Sequence, residues 1–192
     1  LIDANLSGQI VGVISNKPEA YALQRAENAG IATAVIEHKQ YPHREAFDDV
    51  MHQQLLDWDV DLVVLAGFMR ILSEKFVSAW EGKMINIHPS LLPHYKGMHT
   101  HQRVLNTGDQ LHGCTVHYVT AELDAGQALA QGVLQVGSHD GVNSLAQRVH
   151  TLEHIIYPQV VEWICTQTIQ HTNQGVLYRN TLMHEPIQFC KF

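Results

Sequence analysis

Apolar and polar positions in the first half of the chain switch between two periods. Short runs rich in β-branched residues, at 9–14, 31–36, 61–67 and 83–88, are separated by stretches whose apolar residues recur three or four positions apart. The first pattern is that of strands and the second that of amphipathic helices, so their alternation predicts βαβ units on a mostly parallel sheet. After the first strand, Asn16, Lys17 and Pro18 make a polar turn with a proline suited to a helix's first position; a helix is expected from there to Asn28, stopped by Gly30. Segment 43–58 carries Ala46, Phe47, Val50, Met51, Leu55 and Trp58 at helical period and should cover one sheet face. The run from Asp61 to Gly67 reads as a central strand buried on both faces. Ser73 is placed to cap a short helix through Trp80.

Beyond His88 the pattern changes. Residues 113–120 and 131–136 read as neighbouring strands joined by a loop containing Glu122, Leu123, Asp124, Ala125 and Gly126, which makes this half of the sheet mixed. Leu145, Val149, Leu152, Ile155 and Ile156 mark a long amphipathic helix from Val142 that continues to Val160, Val161, Trp163 and Ile164. Pro158, lacking an amide donor, is expected to kink or divide it. The tail from Gln167 is polar and uneven, with a short strand expected at 175–178. The fold class is therefore α/β: one Rossmann-like domain, a mostly parallel twisted sheet with helices on both faces, mixed in its C-terminal half. Leu1 to Ala4 read as the end of a helix, whereas a doubly wound sheet ordinarily opens with a strand and a turn. A first strand is expected before Leu1.

Composition narrows the function. The 192 residues, 45% hydrophobic and 16% charged, suffice for one well-buried core. A net charge of -7, with only 12 Lys and Arg spread along the chain, offers no basic stripe to follow a nucleic-acid backbone. No apolar run approaches the roughly 20 residues that span a bilayer, and the start does not resemble a signal peptide. Neither a nucleic-acid nor a membrane partner is expected. Cys114, Cys165 and Cys190 lie far apart and never in C-x-x-C spacing, as befits reduced thiols in a cytoplasmic protein.

Candidate chemistry gathers at residues 86–101, N-I-H-P-S-L-L-P-H-Y-K-G-M-H-T-H. Side chains alternate faces along a strand, so Asn86 and His88 project from the same side, and Pro89 then ends the strand. A donor able to hold an oxyanion beside a group that exchanges protons near neutral pH suits acyl transfer. No G-x-S-x-G elbow or Cys-His constellation accompanies them, so transfer through a covalent enzyme intermediate is disfavoured. Taken singly, each residue has a plainer use: Asn86 could satisfy a strand end, Asp124 serve a turn, Arg44 sit as a surface charge, Glu153 pair with a cation and Met69 fill the core.

The run from Asn86 to Pro93 resembles the signature of the folate-dependent formyltransferases, and Gly113, Cys114, Thr115, Val116 and His117 with Leu123 and Asp124 resemble their second signature. Residues 96–101, K-G-M-H-T-H, are similar to the G-x-H-T-H segment of the members that act on glycinamide ribonucleotide, and the likeness extends to residues 66–72 and to the E-H-x-I-Y-P block at Glu153. The resemblance implies transfer of a formyl group from the co-substrate 10-formyltetrahydrofolate to the amine of glycinamide ribonucleotide, in a monomer or homodimer. Asn86, His88 and Asp124 would then be catalytic. Folate would be bound by Arg44, by Met69, Arg70, Ile71 and Leu72, by Asn86, and by Thr120, Ala121, Glu122, Leu123 and Asp124. The nucleotide would meet His150, Thr151, Leu152 and Glu153, the last accepting from sugar hydroxyls. Within one formyltransferase domain, residues 1–85 would be a nucleotide-binding-like βα half, 86–166 the catalytic and folate half, and 167–192 a tail. The family's glycine-rich G-x-G-S-N phosphate loop would lie, with the first strand, before Leu1.

Within the family the alternative is hydrolysis of formyltetrahydrofolate, with water as acceptor, whereas formylation of initiator tRNA is disfavoured. The hydrolases carry an added regulatory domain and lack the His99, Thr100, His101 pattern; the tRNA enzymes carry a further nucleic-acid-binding domain. A folate- or nucleotide-binding module without turnover is the alternative of a different class. His99 and His101 with His94 or His88 could be imagined around a metal, but no H-E-x-x-H spacing exists and proline-containing turns intervene, so no metal is expected. His99 and His101 are expected instead to cap or orient the loop and the helix after it.

Overall fold

The computed structural model describes residues 1–191. Its first half runs β1 (Gly12–Ser15), α1 (Tyr21–Asn28), β2 (Ala32–Val35), α2 (Arg44–Asp57), β3 (Val63–Leu65), α3 (Glu74–Ala79) and β4 (Met84–His88). There follow α4 (Thr100–Thr107), β5 (Leu111–Tyr118), β6 (Ala128–Gln135), α5 (Val142–Cys165), β7 (Ile169–Thr172), β8 (Gly175–Tyr178), β9 (Thr181–Leu182) and β10 (Ile187–Lys191). The main sheet has the order β10-β6-β5-β4-β3, parallel at β3/β4 and β6/β10 and antiparallel at β4/β5 and β5/β6. β1 and β2 pair in parallel by themselves, and β7, β8 and β9 form a small antiparallel sheet. The mixed α/β sheet expected from the periodicities is therefore present, but β3, expected as a central strand buried on both faces, is the terminal strand of the main sheet, and only Val63 of its three residues is buried.

Two adjacent residues on β4 show how the layers form. Met84 and Ile85 are both 0% exposed yet point to opposite faces. Met84 joins Phe47, Met51 and Leu55 of α2 and Phe76 and Val77 of α3; Ile85 joins Val116, Ala130 and the α5 residues Leu145, Val149, Leu152, Ile156 and Val160. Helices thus cover both faces. β1 packs through Ile14 on the α2 cluster, to which Leu65 of β3 also contributes, and Gly12 lies so close to the Trp58 indole that a Cβ would come within 2.2 Å of it.

Several local expectations are corrected. Pro18 does not open α1: the Ser15 hydroxyl accepts from the Lys17 N–H (3.1 Å), Ala20 N–H donates to Lys17 O (3.2 Å), and these turns delay the helix to Tyr21. Leu1 to Ala4 form a turn closed by Ala4 N–H on Leu1 O (2.9 Å), not a helix end. Pro158 does not divide α5, whose 24 residues run unbroken because its apolar stripe keeps packing on one cluster before and after the proline. The polar tail forms four strands, and β10 joins the main sheet beside β6, its Ile187 and Phe189 packing on the α5 cluster.

Candidate active site

β4 and β5 pair with Asn86 opposite His117 and His88 opposite Thr115, so all four side chains stand on one sheet face. His88 is 6% exposed. Its Nε2 lies 3.0 Å from Tyr95 O and its Nδ1 3.4 Å from the Asp124 carboxylate. Asp124 occupies the loop between β5 and β6 with a left-handed backbone (φ 48°) and a side chain 7% exposed. One carboxylate oxygen accepts the Gly97 N–H at 2.9 Å, and the other lies 3.8 Å from His117 Nε2. Asn86, His88 and Asp124, 38 residues apart at the extremes of this group, are thus brought into one constellation.

His117 is a fourth member that the sequence did not mark as a site residue. Its Nδ1 lies 2.8 Å from Tyr118 O, and a carbonyl can only accept, so that nitrogen carries the proton. Burial pushes its pKa below the usual histidine value, against the opposing pull of the Tyr118 carbonyl and the Asp124 carboxylate. The neutral ring leaves Nε2 as an acceptor 3.5 Å from Asn86 Nδ2, which turns the amide end of Asn86 toward His117 and leaves its second N–H for a ligand. Around His88, by contrast, both ring nitrogens face oxygen acceptors. Only the doubly protonated ring can donate to both, and it reaches a further oxygen only by giving up one of them.

The residues expected around folate border the α2 cluster. Phe68, Leu72 and Val119 pack on it, so the loop after β3 and the loop after β5 share one apolar footing. Met69 and Ile71 are 86% and 60% exposed, which excludes a core-filling role for Met69, and the Arg70 guanidinium stacks 5.3 Å over the Phe47 ring. Arg44 opens α2 half-exposed beside Glu45 (3.3 Å). In the second loop the Thr120 hydroxyl donates to Glu122 O (3.2 Å) and Glu122 pairs with Lys96 (3.0 Å), while Ala121 and Leu123 are exposed. The Ser73 N–H donates to the buried Asp48 carboxylate (2.6 Å), tying the end of the first loop to α2.

The residues expected around the nucleotide sit apart from that group, on α5. His150 and Thr151 are exposed, and the Thr151 hydroxyl donates back to Gln147 O at 3.0 Å. Leu152 is 3% exposed and packed in the core, so its side chain is withdrawn from any ligand, a correction that follows from the helical period. Burial pushes the Glu153 carboxyl above its usual pKa, partly offset by His150. Among the described residues no hydrogen bond or ion pair joins this set to Asn86, His88 or Asp124. His99 makes no side-chain cap on α4; its backbone is left-handed (φ 58°) instead. His101 Nδ1 lies 2.9 Å from Nε2 of His112. Among the described residues no three His, Cys, Asp or Glu side chains group so as to hold a metal ion, and no helix is long and apolar enough to cross a membrane.

Comparison with known proteins places this arrangement. Residues 1–161 match the family model described as "Formyl transferase". The chain is 46% identical over 182 residues to phosphoribosylglycinamide formyltransferase of Escherichia coli, covering 92% of this chain and 86% of that protein. It is also 46% identical over 173 residues to the human trifunctional purine biosynthetic protein adenosine-3, covering 90% of this chain but only 17% of that much longer protein. The structure of phosphoribosylglycinamide formyltransferase from Coxiella burnetii superposes with a TM-score of 0.90 at 44% identity, covering 96% of this chain and 88% of the other. With its signature residues gathered around one carboxylate, and with likeness of this extent in both sequence and structure, the chain belongs to the formyl transferase family.

Proposed function

We propose that the protein transfers the formyl group of 10-formyltetrahydrofolate to the amine of glycinamide ribonucleotide in purine biosynthesis. The observation that carries the reading is the buried Asp124 carboxylate held by the Gly97 N–H and set against His88, with the Asn86 amide oriented by His117. The amine lone pair adds to the formyl carbon, and the carbonyl oxygen becomes an oxyanion. Asn86 donates its free N–H to that oxygen, a contribution of about 2.7–4 kcal/mol for one such donor; His88 adds to it by exchanging its bond to Tyr95. Asp124, with His88 as its partner, takes the proton that the amine loses, and a proton returns to N10 of the folate as the carbon–N10 bond breaks. One C–N bond forms, one breaks, and one proton passes from the amine to N10. Direct transfer between two bound substrates gains up to roughly 7–11 kcal/mol from proximity and orientation in ideal cases.

In this reading folate lies on Arg44, on Met69, Arg70, Ile71 and Leu72, on Asn86, and on Thr120, Ala121, Glu122, Leu123 and Asp124. The nucleotide meets His150, Thr151 and Glu153, whose carboxylate accepts from sugar hydroxyls, and the backbone at Leu152. Residues 1–85, 86–166 and 167–192 then act as nucleotide-binding-like half, catalytic and folate half, and tail. With its three cysteines free, the enzyme works in the cytoplasm on small molecules, as a monomer or homodimer. Steady-state assays of His88→Ala and Asp124→Asn test the mechanism: each is expected to lower turnover by roughly a hundredfold or more while circular dichroism stays that of the parent. Wild-type turnover in either would refute it. Offering glycinamide ribonucleotide, water and initiator tRNA as acceptors tests the substrate, and formyl transfer to either of the latter two alone would overturn that assignment.

A further inference from the structure

We infer that Thr115, Gln131 and Gln188 are positioning residues, a hydrogen-bonded row that crosses the sheet and fixes the turn following His88. The pairing registers align His88 with Thr115, Thr115 with Gln131, and Gln131 with Gln188. One residue from each of β4, β5, β6 and β10 therefore stands on the same face, in a line from the site to the sheet edge. Thr115 is 0% and Gln131 8% exposed, positions where a strand ordinarily carries an apolar side chain.

Their polar atoms are used on the backbone that leaves the sheet after His88. The Thr115 hydroxyl donates to Ser90 O (2.7 Å) and accepts from the Leu92 N–H (3.0 Å) and from Gln131 Nε2 (3.1 Å), which exhausts its one donor and two lone pairs. Gln131 Nε2 gives its other proton to Leu92 O (2.8 Å), and Gln188 Nε2 donates to Gln131 Oε1 (3.0 Å). The buried groups of residues 90–92, bracketed by Pro89 and Pro93, have left the β-ladder, so side chains must satisfy them. The same turn carries the Tyr95 carbonyl on which His88 Nε2 rests, and Ser90 closes it through its hydroxyl on His94 O (2.6 Å) and its N–H on His88 O (2.8 Å). Holding Ser90 and Leu92 thus holds the acceptor that sets the imidazole plane. The row touches no reacting atom, and its outermost member comes from a strand beyond the 1–161 span of the family match.

The inference rests on the catalytic role proposed for His88, and the test separates the two. Turnover, both KM values, thermal midpoint and the His88 imidazole NMR shifts are measured for Thr115→Val, Thr115→Ser, Gln188→Leu and His88→Ala. Thr115→Val is expected to lower kcat roughly tenfold to a hundredfold, the scale of small misplacements at a reacting centre, with little change in either KM and a displaced His88 signal; Thr115→Ser restores kcat. Gln188→Leu, on the exposed edge, gives a smaller loss in the same direction and carries the test if Thr115→Val fails to fold. Parent-like kcat per folded molecule in both Thr115→Val and Gln188→Leu, with His88→Ala inactive, overturns the row's role alone. An active His88→Ala overturns the site reading and the row with it.

Discussion

Asp124 joins the two histidines of the site because its backbone takes a left-handed turn that aspartate tolerates better than most side chains. Its carboxylate is then fixed by the Gly97 N–H, leaving both oxygens facing imidazoles. Burial has a different consequence at His112, which is 1% exposed and whose pKa is held down to about 4, first by desolvation and further by His101 and His88, with Asp109 pulling the other way. A histidine whose folded pKa lies below its unfolded value contributes stability that is complete above the unfolded pKa near 6.5 and is lost as pH falls toward 4, because the unfolded chain binds the proton first. The contribution is up to roughly 3 kcal/mol, the linkage value of a shift of that size. Urea unfolding between pH 7.5 and 4.5 should therefore fall less steeply for His112→Gln than for the parent; parallel curves would contradict this. That Asn86 and His88 share one face is legible from their spacing on a strand, whereas no periodicity marks His117, whose place depends on the β4/β5 register.

The β5–β6 hairpin does for the site what the helices do for the core. Its loop folds back so that Asp124 meets His88, and Gly126 allows that path: a Cβ there would lie 1.8 Å from Tyr118 O. Because the obstacle is the backbone carbonyl at the end of β5, it cannot give way cheaply. Gly126→Ala is expected to shift the loop and lower kcat by tenfold or more, on the scale of an ångström-sized misplacement, with far-UV circular dichroism unchanged. Parent kinetics for that variant would show the loop path to be immaterial. Ser73 caps α3 as its position foretold, accepting from the Phe76 N–H at 3.3 Å. The unbroken α5 was not foreseeable from Pro158 alone, since packing along one face outweighs the single hydrogen bond that proline removes.

Across the molecule, β10 returns the end of the chain to the main sheet and covers the outer edge of β6 over five paired residues. It buries part of Ile187 and Phe189 on the α5 cluster and brings Gln188 to Gln131. Removing residues 185–192 would expose the β6 edge and is expected to cost about 3 kcal/mol, the scale of unburying two large apolar side chains in part, together with a fall in kcat. An unchanged urea midpoint would show that the strand adds little.

The alternation of strand and helix periods and the shared face of Asn86 and His88 follow from local order, because side-chain direction repeats every two residues in a strand and every 3.6 in a helix; the signature around Asp124 was legible only as a resemblance to a known family. The α/β class is therefore carried by the residue order itself. Tertiary structure alone decided which strands are neighbours, and with them the pairing of Asn86 with His117, the line from His88 to Gln188 and the recruitment of the polar tail. The reason is that register and long-range pairing are selected by the burial of whole faces at once, and that selection has no signature at any single position along the chain.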